Sequence, residues 1–121
     1  MTDVHTLVDG YIEMWNETDA ARRRTLVDRT WTEDAEYVDP LAAGRGHDGI
    51  DAVIAGVQGQ FPGFRFSLVA APDAHNDRVR FTWELAPPGG DTVATGFDFG
   101  TIAPDGRLRS VTGFLELAQA A

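Results

Sequence analysis

Three side chains in this 121-residue chain are of a type and in a setting that could do chemistry. Tyr11 falls on an apolar stripe with Val4, Leu7, Val8, Ile12, Met14 and Trp15, where a phenol needs a hydrogen-bond partner or a ligand. Asp39 closes the segment Tyr37-Val38-Asp39-Pro40, an alternating stretch stopped by proline. Asp98 lies between Phe97 and Phe99 in Gly96-Phe97-Asp98-Phe99-Gly100, although Asp is disfavoured inside strands. Residues two apart on a strand share a face, so Asp98 faces with Gly96 and Gly100, which leave space for a ligand or for neighbouring side chains. A carboxylate can take a proton, and a phenol or a protonated carboxyl can give a hydrogen bond. Each residue also has an ordinary reading. Asp39 before Pro40 makes a good turn, Asp98 could face solvent with Phe97 and Phe99 in the core, and Tyr11 could be a satisfied core tyrosine.

The rest of the composition narrows the choice. All ten basic residues are Arg, no Cys is present, and Ser occurs only as Ser67 and Ser110. A Schiff-base or P-loop lysine, a thiol nucleophile, a thiolate metal site and a G-x-S-x-G elbow are therefore excluded. Nineteen acids against ten bases give a net charge of -9, which repels nucleic acid and anionic membrane surfaces. No apolar run approaches the ~18 residues of a membrane span, and Thr2-Asp3 opens no signal core. A single domain over 1–121, cytoplasmic and without a bound metal, is the expectation. His5, His47 and His75 lie in separate segments without ligand spacing.

These residues must be positioned by elements that the pattern predicts. A first helix covers about Thr2 to Glu17, and a second runs from an Asp19 cap toward Thr30, with Ala20, Leu26, Val27 and optionally Trp31 on its apolar face and Arg22-Arg23-Arg24 on its solvent face. Ala35 to Asp39 reads as a short strand and Leu41 to Gly46 as a loop. A third helix, capped by His47 or Asp48, carries Ile50, Val53, Ile54, Val57 and Phe61 on one face. The second half changes to period two. Four strands follow, over Phe64–Ala70, Val79–Leu85, Val93–Ile102 and Leu108–Leu117, joined by turns at His75-Asn76-Asp77, Pro87–Asp91 and Pro104-Asp105-Gly106. Helices first and antiparallel strands after them make an α+β plan.

Order and motifs together resemble the nuclear transport factor 2-like superfamily, in particular its SnoaL-like and ketosteroid-isomerase-like members. The resemblance rests on Gly10-Tyr11-Ile12-Glu13-Met14-Trp15-Asn16 with Asp19, on Ala35-Glu36-Tyr37-Val38-Asp39-Pro40, and on Gly44-Arg45-Gly46 with Gly49-Ile50. His75-Asn76-Asp77 and Asp105-Gly106-Arg107-Leu108 complete it. It implies a cone-shaped domain, with helices on a strongly curved, mostly antiparallel sheet around an apolar pocket, and a homodimer formed through that sheet. By the same resemblance Asp39 is the base, and Tyr11 and Asp98 are donors to a developing oxyanion. The reaction implied is cofactor-free proton transfer on a small hydrophobic carbonyl compound, steroid-like or polyketide-like, as in an isomerase or cyclase. Trp15, Trp31, Phe61, Trp83 and Phe114 are candidate walls for the ligand. Trp31 and Ile54 stand where the isomerases carry supporting tyrosines. Gly96 stands where an epoxide-hydrolase branch would carry Arg. The rival readings are a non-catalytic binding domain and a dimerisation module whose cavity is filled by its own aromatic rings.

Overall fold

The computed structural model describes residues 3–117. Helix α1, Val4–Asn16, starts where the Asp3 carboxylate accepts from the His5 amide and the Thr6 hydroxyl, each at 3.0 Å. Its apolar stripe buries Val8, Tyr11, Ile12, Met14 and Trp15. Helix α2, Ala20–Thr30, is capped by Asp19, which accepts from the Arg22 amide at 2.9 Å. Two expectations change here. Arg23 leaves the solvent face: α2 packs on α3, and the guanidinium is buried between them, donating to Asp51 at 2.8 Å and to Gln58 at 3.0 Å. The helix ends at Thr30 as expected, but Trp31 belongs to strand β1, Trp31–Val38, rather than to the helix face, and β1 is longer than the alternation from Ala35 suggests.

The expected loop after Asp39 contains a short strand, β2, Ala43–Arg45, paired antiparallel with β1. Helix α3, Gly46–Gln60, follows directly. Neither His47 nor Asp48 caps it. The helix begins one residue earlier at Gly46, whose φ of +69° suits glycine, and Arg45 stands at the cap without a side-chain bond. His47 instead reaches back from the first turn, with Nε2 2.8 Å from the Trp31 carbonyl and Nδ1 2.9 Å from Asp28.

The second half holds five strands rather than four: β3, Arg65–Leu68; β4, Asp73–His75; β5, Arg78–Ala86; β6, Ala94–Ile102; and β7, Leu108–Leu117. Together the strands form one seven-stranded sheet ordered β2-β1-β7-β6-β5-β3, with β4 pairing β5 at one end. All pairings are antiparallel except β1 with β7. The fold is α+β, with three helices laid on one face of an open, curved, mixed sheet. The core lies between helices and sheet, and among the described residues no helix is long and apolar enough to cross a membrane.

The alternation of β6 settles which way Asp98 points. Ala94, Gly96, Asp98 and Gly100 face the core, whereas Phe97 and Phe99 are 38% and 41% exposed on the outer face, beside Phe114 at 60%. The arrangement with Asp98 in solvent and the phenylalanines in the core is therefore reversed.

Candidate functional site

Strand register brings the two aspartates together. Asp98 on β6 pairs with Gly113 on β7, and Val38 on β1 pairs with Thr112 on β7. One residue further along, Asp39 falls beside Gly113 from the other side. Neighbouring strands are ~4.8 Å apart, so side chains flanking a central residue normally stay separated by that residue's own side chain. Glycine removes the obstacle. A Cβ built on Gly113 would lie 2.9 Å from Asp98 Oδ1, 3.3 Å from the Asp39 Cβ and 3.4 Å from the Tyr37 hydroxyl. The two acids and Tyr37 thus gather over a glycine floor.

Each aspartate is held by one tyrosine, and these are the chain's only two tyrosines. The Tyr11 hydroxyl donates to Asp98 Oδ2 at 2.7 Å, and both residues are 1% exposed. The other carboxyl oxygen, Asp98 Oδ1, is buried without a hydrogen-bond partner among the described residues. Burial is the main cause that pushes the Asp98 carboxyl up to about 6. The Tyr11 hydrogen bond and the nearby Trp83 indole oppose the rise, and the charge on Asp39 adds to it. Burial and the neighbouring Asp98 charge hold the Tyr11 phenol well above its ordinary value.

Asp39 is half-buried and differently bound. Its Oδ1 accepts from the Leu41 amide at 2.7 Å and the Ala42 amide at 2.8 Å, so it does make the turn that its place before Pro40 suggests. Its Oδ2 accepts from the Tyr37 hydroxyl at 2.6 Å. Burial, Asp98 and Asp39 together raise the Tyr37 phenol far above its usual value. Turn duty and a place in the cluster are both true of this one residue.

The cluster forms part of the wall of a cavity of about 470 Å³, which is otherwise largely apolar. Tyr11, Asp39 and Asp98 all reach it, as do Trp15, Phe61, Trp83 and Phe114 from the expected walls. Trp31 does not. It is fully buried behind Tyr11, with its ring 5.9 Å from the phenol and its indole nitrogen 3.2 Å from the Met14 sulfur. The space beside Asp98 also has an owner: a Cβ on Gly96 would lie 2.0 Å from the Trp83 indole, so this glycine admits a neighbouring ring rather than a ligand. Tyr37 is the residue missing from the sequence reading. Its parity with Asp39, one residue past the end of β1, was the available signal, since residues two apart along an extended segment point to one face. Among the described residues no three His, Cys, Asp or Glu gather in metal-ligand geometry.

Comparison with solved structures gives the same architecture. A protein from Agrobacterium tumefaciens strain C58, provisionally described as an isomerase of the SnoaL-like family, is 45% identical. The match covers 92% of this chain and 95% of that one, with a TM-score of 0.88. A protein from Jannaschia sp. CCS1, provisionally described as a SnoaL-like polyketide cyclase, is 19% identical over 96% of this chain and 90% of its own, with a TM-score of 0.70. An NTF2-like protein of unknown function from Cytophaga hutchinsonii shares the fold at 11% identity, covering 96% and 92% of the two chains, with a TM-score of 0.69. A search of curated proteins finds no match. The model of the SnoaL-like domain matches residues 8–111, and the chain therefore belongs to the SnoaL-like family.

Proposed function

We infer that this protein is a small enzyme that moves a proton beside the carbonyl group of an apolar compound, using its own carboxyl and phenol groups. The observation that carries this reading is the meeting of Asp39 and Asp98 over Gly113, on the wall of one largely apolar cavity. A filler module would have closed that cavity with its rings, and a plain binder has no use for two facing acids. The provisional description of the 45%-identical Agrobacterium protein as an isomerase supports the same reaction class.

The two acids suit different roles. Asp39 presents a carboxylate oxygen at the cavity and takes the proton from the carbon next to the carbonyl. Asp98 serves the carbonyl oxygen. A ligand that displaces water from the cavity desolvates Asp98 further and favours its neutral form. Neutral Asp98 then donates to the developing oxyanion through Oδ1, the oxygen that lacks a partner. Tyr11 stays on Oδ2 and steadies Asp98 from behind, so the two donors act in series rather than side by side.

The test uses β,γ-unsaturated cyclic ketones and poly-β-ketone esters as trial substrates. Asp39→Asn keeps an oxygen for the Leu41 and Ala42 amides but removes the base. Turnover should fall by about 10²–10⁴ while the melting temperature holds. Unchanged turnover would sink the assignment. One observation favours a second reading, a non-catalytic binding domain: both phenols are already bonded to carboxyls. That reading predicts ligand binding with no turnover of any ketone. Pairing of two chains through the outer sheet face is supported by exposed Phe97, Phe99 and Phe114, and sedimentation of the protein tests it.

A further inference from the structure

A second cavity, of about 530 Å³, opens where α1 and α3 finish and β3 begins. Trp15, Val57, Phe61, Phe66 and Leu85 line both cavities, so the two lie back to back on one apolar partition. Their charges are opposite. The first carries Asp39 and Asp98 and no Arg or His. The second carries Arg23 and Arg65 and no Asp, Glu or His. In a chain with a net charge of -9, a hollow whose charged lining is wholly cationic needs a reason. We propose that it is a second binding site, which takes a flat apolar carboxylate: Arg23 and Arg65 hold the carboxylate, and the body of the molecule lies against the aromatic partition. The site is independent of the proton-transfer reading, since neither aspartate of the first cavity lines it.

The first support is the guanidinium of Arg23, a residue only 6% exposed. Burying a cation is costly unless its donors are met, and a guanidinium has five N–H donors. Nε donates to Asp51 at 2.8 Å. Nη1 donates to Gln58 at 3.0 Å and lies 3.5 Å from the Glu17 carbonyl. Nη2 has no partner among the described residues. It is nevertheless not sealed off, because Asp98 Oδ1 is the fully buried side-chain atom found there without a partner. Nη2 therefore keeps some surface toward open space, and of the two cavities Arg23 lines this one. Two N–H groups of a rigidly held, nine-tenths buried cation are thus left for something else to accept from.

The second support is Arg65, the first residue of β3, whose side chain is exposed. Arg22, Arg29 and Arg65 have no carboxylate partner among the described residues, whereas the other arginines all do. Of these three, Arg65 alone lines either cavity. Planar guanidinium forks match a carboxylate two bonds at a time, and such charge-assisted bonds are the strong ones.

The carbonyl ends of α1 and α3 lie at the same place and oppose an anion. Their acceptors are met in part from within the chain: Gln58 Nε2 donates to the Trp15 carbonyl at 3.0 Å and the Glu17 carbonyl at 2.8 Å, and the Phe61 amide returns to Val57 at 3.0 Å. What remains of the dipole limits the charge that the site can hold. Arg23 shares its charge with Asp51, so the surplus is the single positive charge of Arg65. That balance suits a carboxylate and disfavours a phosphate dianion. The body of the ligand has a surface to lie on. Phe61 and Phe64 are half-buried with ring centroids 5.4 Å apart, and Trp15 and Phe66 continue the aromatic wall.

Calorimetric titration with 2-naphthoate, 2-naphthamide and 2-naphthyl phosphate at pH 7.5 tests this. The carboxylate should bind once per chain and at least about tenfold more tightly than the amide of the same shape, and the phosphate no more tightly than the carboxylate. In Arg65→Gln, a change of an exposed side chain, the preference for carboxylate over amide should shrink at least about fivefold, and in Arg65→Glu it should vanish. Arg23→Lys keeps the charge and removes the fork, and in folded protein it should weaken the carboxylate at least about threefold. If that variant does not fold, the Arg65 variants decide the question. No binding of the carboxylate at millimolar concentration, an amide that matches it, a preference unchanged in the Arg65 variants, or unweakened binding to folded Arg23→Lys overturns the proposal. Tighter binding of the phosphate overturns it too, since the site would then be built for a dianion. None of these readouts requires turnover of a ketone, so this site and the proton-transfer reading stand or fall separately.

Discussion

Tyr11 and Asp98 meet at 2.7 Å in the fully buried interior, and Tyr37 and Asp39 at 2.6 Å where α+β core gives way to a surface turn. The bond is nearly the same, but the surroundings differ. Asp39 has two backbone amides in addition to its phenol, whereas among the described residues Asp98 has the phenol alone and one oxygen with no partner. Two copies of one chemical pair thus acquire unlike characters from burial and donor count. One is a half-buried carboxyl anchored by three hydrogen bonds, and the other is a carboxyl that burial pushes toward its neutral form. Burial that raises one acid is how a site built from a single residue type can gain a hydrogen-bond donor.

The sharpest test of this contrast is the pH dependence of stability. Unfolded, Asp98 titrates near 3.8, and folded near 6. Below both values the carboxyl is protonated in either state and costs nothing. Between them the unfolded chain releases the proton and the fold does not, so the Asp98 contribution is lost as pH rises toward 6 and stays lost above it. Asp98→Asn should remove the penalty. Relative to the unaltered protein, its unfolding free energy in denaturant should gain up to about 3 kcal/mol between pH 3.5 and pH 7.5. An Asp98→Asn variant whose stability tracked that of the unaltered protein at both pH values would erase the distinction.

Gly113→Val attacks the meeting of the two pairs instead of either member. A branched side chain in that gap must displace Asp98 Oδ1 and Asp39. Turnover of any accepted ketone should drop by about a hundredfold, because displacements of ~1 Å have that effect on aligned groups. The smallest expected effects come from the phenols. Tyr11→Phe strips a fully buried carboxyl of its only hydrogen bond and should cost about 1–3 kcal/mol in denaturant unfolding at pH 7.5. Tyr37→Phe leaves Asp39 its two amides and should cost less, about 1 kcal/mol. The reverse order would mean that the deeper pair is not the strained one.

Most of the architecture was legible because periodicity reports burial directly. The stripe from Val4 to Trp15 and the last strand, Leu108–Leu117, are found as read. Trp31 was misplaced because the apolar period runs unbroken from Leu26 and Val27 across the helix–strand junction. β2 and β4 escaped because three residues carry no period. Arg23 was hidden by its neighbours, since burial of a cation depends on partners in α3 that lie 28 and 35 positions away. At the site, the three reactive residues could be picked out as residue types in unusual settings. The direction of Asp98, the role of Tyr37 and the purpose of Gly113 depend on register between strands distant in sequence, and no local pattern encodes register of that kind.

The parallel pairing of β1 with β7 has a consequence for how the site comes into being. It joins Tyr37 to Val111, so more than half of the chain lies between the partners. Closing so long a loop gains nothing until the last strand docks, and contacts of this separation slow folding. During synthesis Asp39 emerges early and Asp98 late, and Gly113, the floor that both require, emerges last of all. A partly made chain can hold helices and hairpins, but it cannot hold half of this site. Activity, if measured during refolding, should therefore appear in one late step with the completed sheet rather than growing as its strands accumulate.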